Sequence, residues 1–225
     1  MTATRLAAGA DEIVTPALRR ARMTGAQRRE QLLDVGRALF AERGFDAASI
    51  EEIAHRAGVS KPVVYGHFGG KEGLYAAVVE RESERLLGML TAALSDGHPR
   101  EVLQQAASAF LDYVEHCTDG FRILLRGSGV GSSMGTLTSL LDDVAARAEE
   151  ILAHAFAVHG YRTSLAPMYA QMLVGMVAFT AQWWLDAREP ARDDIVAHVV
   201  NLAWNGLSRL DAEPGSGVSG VSTSR

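Results

Sequence analysis

Residues 49–72 read SIEEIAHRAGVSKPVVYGHFGGKE. The first part places Ile50, Ile53, Ala54 and Ala57 at i, i+3, i+4 and i+7, a single apolar helix face. Ser49 stands just before it and Glu52 follows three residues on. That is the spacing of a capping box, in which the serine accepts from a free amide and the glutamate bonds back to the cap. Gly58 stops this helix. Ser60 opens a second short one, and Pro62 sits in its first turn, where no amide partner is needed. Two short helices joined at a glycine make a helix-turn-helix.

Working outward, Leu32, Val35 and Leu39 repeat at helical spacing over residues 27–43, beside Leu33 and Phe40, and Gly44 supplies a stop. The three helices predict a shared core of Leu32, Leu39, Phe40, Phe45, Ile50, Ile53, Val59, Val64 and Phe68. Period 3.6 continues downstream and period two is scarce, so the fold class is all-α. Helices are expected over residues 71–94, 100–117, 121–126, 137–159, 165–188 and 192–210. GSGVGSSMG, residues 127–135, reads as a flexible loop. The expected organisation is a flexible basic arm (1–24), a three-helix helix-turn-helix domain (25–72), a larger helical ligand-binding and dimerisation domain (73–211) and a disordered tail (212–225).

Composition sets bounds. The chain has 225 residues, 48% of them hydrophobic, and a net charge of −5, which excludes a basic coat over the whole surface. The charge is uneven. Residues 1–75 hold 11 Lys/Arg against 9 Asp/Glu; residues 76–225 hold 11 against 18. Arg19, Arg20, Arg22, Arg28 and Arg29 gather at the front, as expected of a small DNA-contacting module on an acidic body. The single cysteine, Cys117, allows no disulfide within the chain, in keeping with a cytoplasmic location. No apolar run near the N-terminus resembles a signal-peptide core.

The second short helix fits a DNA major groove. At about 100° per residue, Val64 and Phe68 point together toward the core, while Pro62, Val63 and Gly66 point away. Lys61 and Tyr65 flank one side, Ser60 and His67 the other. Ser60, Tyr65, His67 and Lys71 suit phosphates, Lys61 suits base edges, and Val63 suits thymine methyls. With Ser49 and the exposed Pro62 and Gly66, these are the candidate DNA-binding residues.

Residues 41–80 resemble the N-terminal domain of tetracycline-repressor (TetR) family regulators. The features that match are Gly44-Phe45, Ser49, Ile53-Ala54, Gly58-Val59-Ser60, Tyr65, His67-Phe68 and Lys71-Glu72 before Leu74. Two features depart from the usual pattern. Gly66 stands where many relatives carry a second aromatic, and Gly69-Gly70 predicts a looser turn. The resemblance implies about nine helices, a DNA-binding head, and a body that dimerises and binds an inducer. Partners would be a palindromic operator, a second copy and a small-molecule effector, with no membrane, no cofactor and no metal. The usual habit of the family is repression.

In the body, Phe110, Tyr113, His116, Phe121, Met134, Met168, Tyr169 and Met172 are the candidate pocket residues, suited to a flat or greasy ligand. The helices near 165–188 and 192–210 are expected to form the dimer seam. Ile195, Val199, Leu202 and Leu207 would supply one face, Gly175, Ala178 and Ala181 would permit close approach, and Trp184 and Trp204 would pack at the edges. Residues 165–185 carry no charge, so a membrane-tethered regulator is an alternative. A second alternative is a serine hydrolase. GSSMG matches G-x-S-x-G with Ser133 as nucleophile, followed by Asp142 or Asp143 and then His154 or His159. That chemistry requires a strand before the serine and a parallel sheet, which the pattern lacks. No catalytic residue is therefore assigned.

Overall fold

The computed structural model describes residues 23–94, 97–126 and 136–210. Residues 1–22 of the arm, the loop with Ser133 and Met134, and the C-terminal tail lie outside the described residues. Within them the chain is all-α, with no strand. The helices are α1 (Gly25–Ala47), α2 (Ile50–Ala57), α3 (Lys61–Phe68), α4 (Lys71–Ala93), α5 (Pro99–His116), α6 (Thr118–Arg126), α7 (Thr136–His159), α8 (Ala166–Ala187) and α9 (Arg192–Leu207).

Local chemistry explains where the head's helices begin and bend. A full capping box forms at Thr24: its Oγ1 accepts from the Gln27 amide at 3.2 Å, and its own amide donates to Gln27 Oε1 at 2.9 Å. At Ser49 only half a box forms. The serine accepts from the Glu52 amide at 3.2 Å, but the Glu52 carboxylate turns outward to Arg43 at 2.7 Å and Arg56 at 2.8 Å. Gly44, expected as a stop, kinks α1 through φ 77° instead, and the helix continues to Ala47. The kink brings Phe45 5.0 Å from the ring of Tyr75, which also meets Phe40 edge-on.

The head core contains Leu32, Phe40, Ile53 and Val64, all essentially without solvent exposure. It continues past the expected boundary at residue 72: Leu74, Tyr75 and Val78 of α4 belong to it, as does Ile123 of α6. Arg126 of α6 also donates to the Ala41 carbonyl at 2.8 Å. The head is thus built on two helices that also belong to the body. Each fully buried large apolar side chain contributes about 1.5–3 kcal/mol.

The body is a helical bundle. α9 packs on α5, α8 on α7, and α4 on α5 and α7. Its core includes Leu86, Phe110, Tyr113, Phe121, Trp184 and Val199. Arg192 ties the start of α9 to Asp112 at 2.5 Å, and Arg188, just past α8, donates to Thr118 at 2.9 Å. These links place the start of α9 and the end of α8 beside the end of α5 that faces the head.

Where body meets head lies the one buried charged side chain among the described residues. Glu82 of α4 is 1% exposed. Tyr113 of α5 donates its hydroxyl to Glu82 Oε2 at 3.0 Å, while Arg37 of α1 and Arg81 each stand 3.6 Å from Oε1. Burial pushes the Tyr113 phenol up, with the Glu82 carboxylate adding to the effect, so it stays protonated and able to donate. Gly120 of α6 closes the site, since a Cβ there would stand 2.3 Å from Glu82 Oε2.

Candidate nucleic-acid interface

α3 is held from beneath. Val64 is fully buried, and Phe68 is half-buried under the Arg29 guanidinium, 5.2 Å from its ring centre. Gly58 sets the approach by taking φ 65°, and the amides of Gly58 and Val59 close the end of α2 on His55 and Ala54. Gly69 and Gly70 then take φ 73° and 151°, values that favour glycine, and Gly69 donates to the Tyr65 carbonyl at 2.8 Å. The turn expected to be loose is therefore defined, and it leads straight into α4.

The outward face of α3 carries Lys61, Pro62, Tyr65 and Gly66, with Ser60 exposed just before it. Tyr65 is 53% exposed, an unusual position for a ring of that size. Val63 and His67 are half-buried at the flanks. Ser60 occupies the N-cap position but makes no side-chain cap bond. No acidic residue lies on α3. The surface is a short rod about 12 Å long, small at its centre and edged with hydrogen-bonding groups.

Three candidates are committed elsewhere. The Ser49 hydroxyl caps α2. Lys71 is turned inward: its ammonium donates to the carbonyls of Asp46 at 3.2 Å and Ala48 at 3.1 Å and lies 4.4 Å from the Phe45 ring centre. Those carbonyls end α1 and lack helical partners, so the lysine serves as a clamp on the α1–α2 turn. Lys61 is paired with Glu51 of α2, and that ammonium holds the Glu51 carboxyl below its usual range. The pair is exposed, so it contributes little to the stability of the fold. Sequence reasoning gave no role to Arg29, whose guanidinium sits at the far end of α3; its membership in the N-terminal basic cluster was the available signal.

In the body, a cavity lies between α4, α5, α7, α8 and α9. Of the eight pocket candidates it brings together only Phe110. Tyr113 is bonded to Glu82, and Phe121 backs Phe110 edge-on at 5.7 Å. His116 is exposed beside Asp112, and Met168 and Met172 face solvent at 45% and 56% exposure. Tyr169 packs on Phe156, 5.4 Å between ring centres. Met134 lies outside the described residues. The cavity wall is aliphatic instead, from Leu, Val, Ile and Ala at positions that read equally well as ordinary core. Asp112, Glu115 and His116 come close enough to share a cation, but Arg192 already fills that place, 2.5 Å from Asp112 and 3.4 Å from Glu115. Asp142, Asp143, His154 and His159 are all exposed along α7, and no strand among the described residues provides the elbow that a nucleophile at Ser133 would need.

A helix-turn-helix on a three-helix head, joined through a long helix to an all-α body, defines a DNA-binding regulator of the TetR class. Residues 32–78 match the family described as bacterial regulatory proteins, tetR family, and residues 99–206 match the tetracyclin repressor-like C-terminal domain. The chain belongs to the TetR family. It is 35% identical over 195 residues to the HTH-type transcriptional activator FasR of Mycolicibacterium smegmatis, covering 84% of this chain and 87% of that one. It is 32% identical over 100 residues to the HTH-type transcriptional repressor BdcR of Escherichia coli K12, covering 41% and 51%. Among solved structures, a TetR-like transcriptional regulator from Rhodococcus sp. RHA1 aligns with a TM-score of 0.67 at 30% identity, over 83% of this chain and 99% of that one.

Proposed function

We propose that the protein acts in the cytoplasm as a homodimer that binds a palindromic operator through α3 and is released by a small molecule bound in the body. The observation that carries this reading is the outward face of α3, with Tyr65 held in solvent above a fully buried Val64. Ser60, Tyr65 and His67, with Arg29, supply phosphate contacts; Lys61, Val63 and the bare backbone at Gly66 meet base edges. The direction adopted is repression relieved by the effector. The M. smegmatis relative is named an activator, so a promoter reporter with and without the regulator separates the two directions.

Two heads at fixed spacing read a two-fold symmetric site. The dimer reading rests on α8 and α9, with a change in the residues involved. Ile195, Val199, Ala178 and Ala181, expected at the seam, are buried within the protomer, and Trp184 is buried with its indole donating to the Pro190 carbonyl at 2.9 Å. Trp204 faces the cavity. The apolar stripe left open is Met168, Met172, Phe179 and Trp183 of α8, at helical spacing, with Leu202 of α9. Phe179 is 75% exposed, so Phe179→Asp should cost the folded protomer little while removing a central contact. The expected result in sedimentation is a shift from dimer to monomer, with operator affinity down more than tenfold. An unchanged mass would place the seam elsewhere. α8 is apolar and long enough to cross a bilayer, but its other face packs into the bundle through Ala170, Ala178, Trp184 and Leu185, which a spanning helix would have to abandon.

The site around Glu82 supplies the coupling. Arg37 stands on the head, Tyr113 on the body, and both meet one carboxylate on α4. An effector that shifts α5 alters this meeting and so the spacing of the heads, which is a population shift between two arrangements. The reading is tested by selecting genomic DNA fragments with the full-length chain. A two-fold symmetric motif, bound with affinity that falls steeply as salt rises, is the expected outcome. Fragments sharing no motif would overturn it.

A further inference from the structure

The face that α3 offers to a groove is poor in base-reading chemistry. Its eight residues, KPVVYGHF, hold no Arg, Asn, Gln, Asp or Glu. Those side chains make most of the hydrogen-bonded contacts that tell one base from another in the major groove. Lys61 is the only permanently charged group on the helix, and Pro62 and Val63 offer apolar contact of the kind a thymine methyl accepts. One lysine and a few apolar contacts fix few bases, so a site that is rare in a genome needs a second reading element.

The start of α1 shows where that element lies. Gln31 donates to the Ala57 carbonyl at 3.1 Å and accepts from Arg28 at 2.6 Å, which ties the second turn of α1 to the end of α2. Arg29 spreads its guanidinium over Phe68, at the end of α3. The first two turns of α1 therefore run beside the helix-turn-helix. Thr24, whose capping box fixes the first turn, stands about 7.5 Å along the axis from Arg29. Residues 23–27 are all exposed and none is acidic. What precedes them is basic in a particular way. Residues 1–22 contain four cations, Arg5, Arg19, Arg20 and Arg22, and no lysine; three of the four fall within LRRAR, just before the helix. Arginine suits a narrow minor groove, where the negative potential is enhanced and a guanidinium sheds water more easily than an ammonium. Arg19 lies five residues from Thr24, within about 17 Å of chain. Major and minor grooves alternate at half a helical turn, also about 17 Å. We infer that residues 19–22 are a second DNA-reading element, which enters the minor groove flanking the major groove that α3 occupies and favours A·T pairs there. The inference rests on the operator-binding reading above. The competing surface for these arginines is the body, whose residues 76–225 hold 11 Lys/Arg against 18 Asp/Glu.

The test compares the full-length parent with Arg19→Ala/Arg20→Ala/Arg22→Ala on the duplex recovered by the genomic selection. All three substitutions fall upstream of the Thr24 cap, so Tm and sedimentation should match the parent. Operator affinity should fall more than tenfold at physiological salt. The slope of log affinity against log salt should become shallower by about 2–3, or about 0.9 for each arginine withdrawn. A second duplex carries 2,6-diaminopurine for adenine at the A·T pairs flanking the major-groove contacts. That base adds an amino group to the minor groove and leaves the major-groove edge of adenine as it was. It should weaken the parent more than tenfold and the triple variant less than twofold. Parent-like affinity and salt slope in the variant would overturn the inference. So would equal sensitivity of parent and variant to diaminopurine, which places the arginines on phosphates alone, or tighter operator binding by the variant, which places them on the acidic body. A parent that selects no motif defeats the regulator reading itself, whereas a parent that selects one without these responses defeats only the second reading element.

Discussion

Gly73→Ala should abolish specific DNA binding while leaving the body folded. An alanine Cβ at this position would stand 1.9 Å from the Phe68 backbone carbonyl oxygen. No side-chain rotation relieves that overlap, because both atoms are fixed to backbone. The end of α3 must move away from the start of α4, tilting the face that carries Tyr65. Overpacking of this kind costs about 1–3 kcal/mol, occasionally more. The functional loss should be larger than the stability loss, because α3 is displaced as a unit, and more than a hundredfold is expected in operator affinity. Gly88 on the same helix is the control. A Cβ there meets nothing within 4 Å, so Gly88→Ala should raise stability by about 0.5–1 kcal/mol through helix propensity and leave binding unchanged. Parallel thermal melts and binding isotherms check both; parent-like affinity in Gly73→Ala would show that α3 does not depend on this close approach.

Glu82→Ala is expected to be the most destabilising substitution at the junction. It removes the carboxylate that accepts from Tyr113 and faces Arg37 and Arg81, leaving a buried hydroxyl and two guanidinium groups without it. Breaking a buried charge pair from one side costs about 3 kcal/mol or more, or about 6–12 °C in Tm for a chain of this size. Glu82→Gln separates stability from coupling. The amide oxygen can still accept from Tyr113, but the attraction for Arg37 is gone. This variant should fold and bind the operator, yet respond less to effector. A full effector response in Glu82→Gln would remove the Arg37–Glu82 contact from the coupling route.

Much of the head was legible because short-range chemistry decides it. Ser49, Gly58, Ser60 and Pro62 mark helix ends by backbone requirements that do not depend on distant partners. Val64 and Pro62 fall on opposite faces of α3 from helical angle alone. What stayed hidden depends on which helix covers which. Periodicity shows that Ile195, Val199 and Leu202 share an apolar surface, but only packing against α5 decides that the first two are inside and Leu202 is out. Glu82 sits in the charged run ERESER and has no sequence mark distinguishing it from the exposed Glu84. Lys71 looked like a phosphate ligand because its position follows the recognition helix; the unsatisfied carbonyls at the end of α1 claim it first. Aromatic residues drew attention as pocket lining, yet the cavity is walled mostly by aliphatics.

The central claim is that the outward face of α3 reads DNA, and Tyr65→Ala tests it most directly. Tyr65 is half exposed and its side chain makes no hydrogen bond among the described residues, so the substitution should leave Tm within about 2 °C of the parent. Measured against the selected operator at fixed salt, the variant should bind more than tenfold more weakly, with a comparable loss on unrelated duplex DNA, as removal of a phosphate contact requires. Unchanged operator affinity in a folded Tyr65→Ala dimer, repeated with Lys61→Ala, would contradict the account.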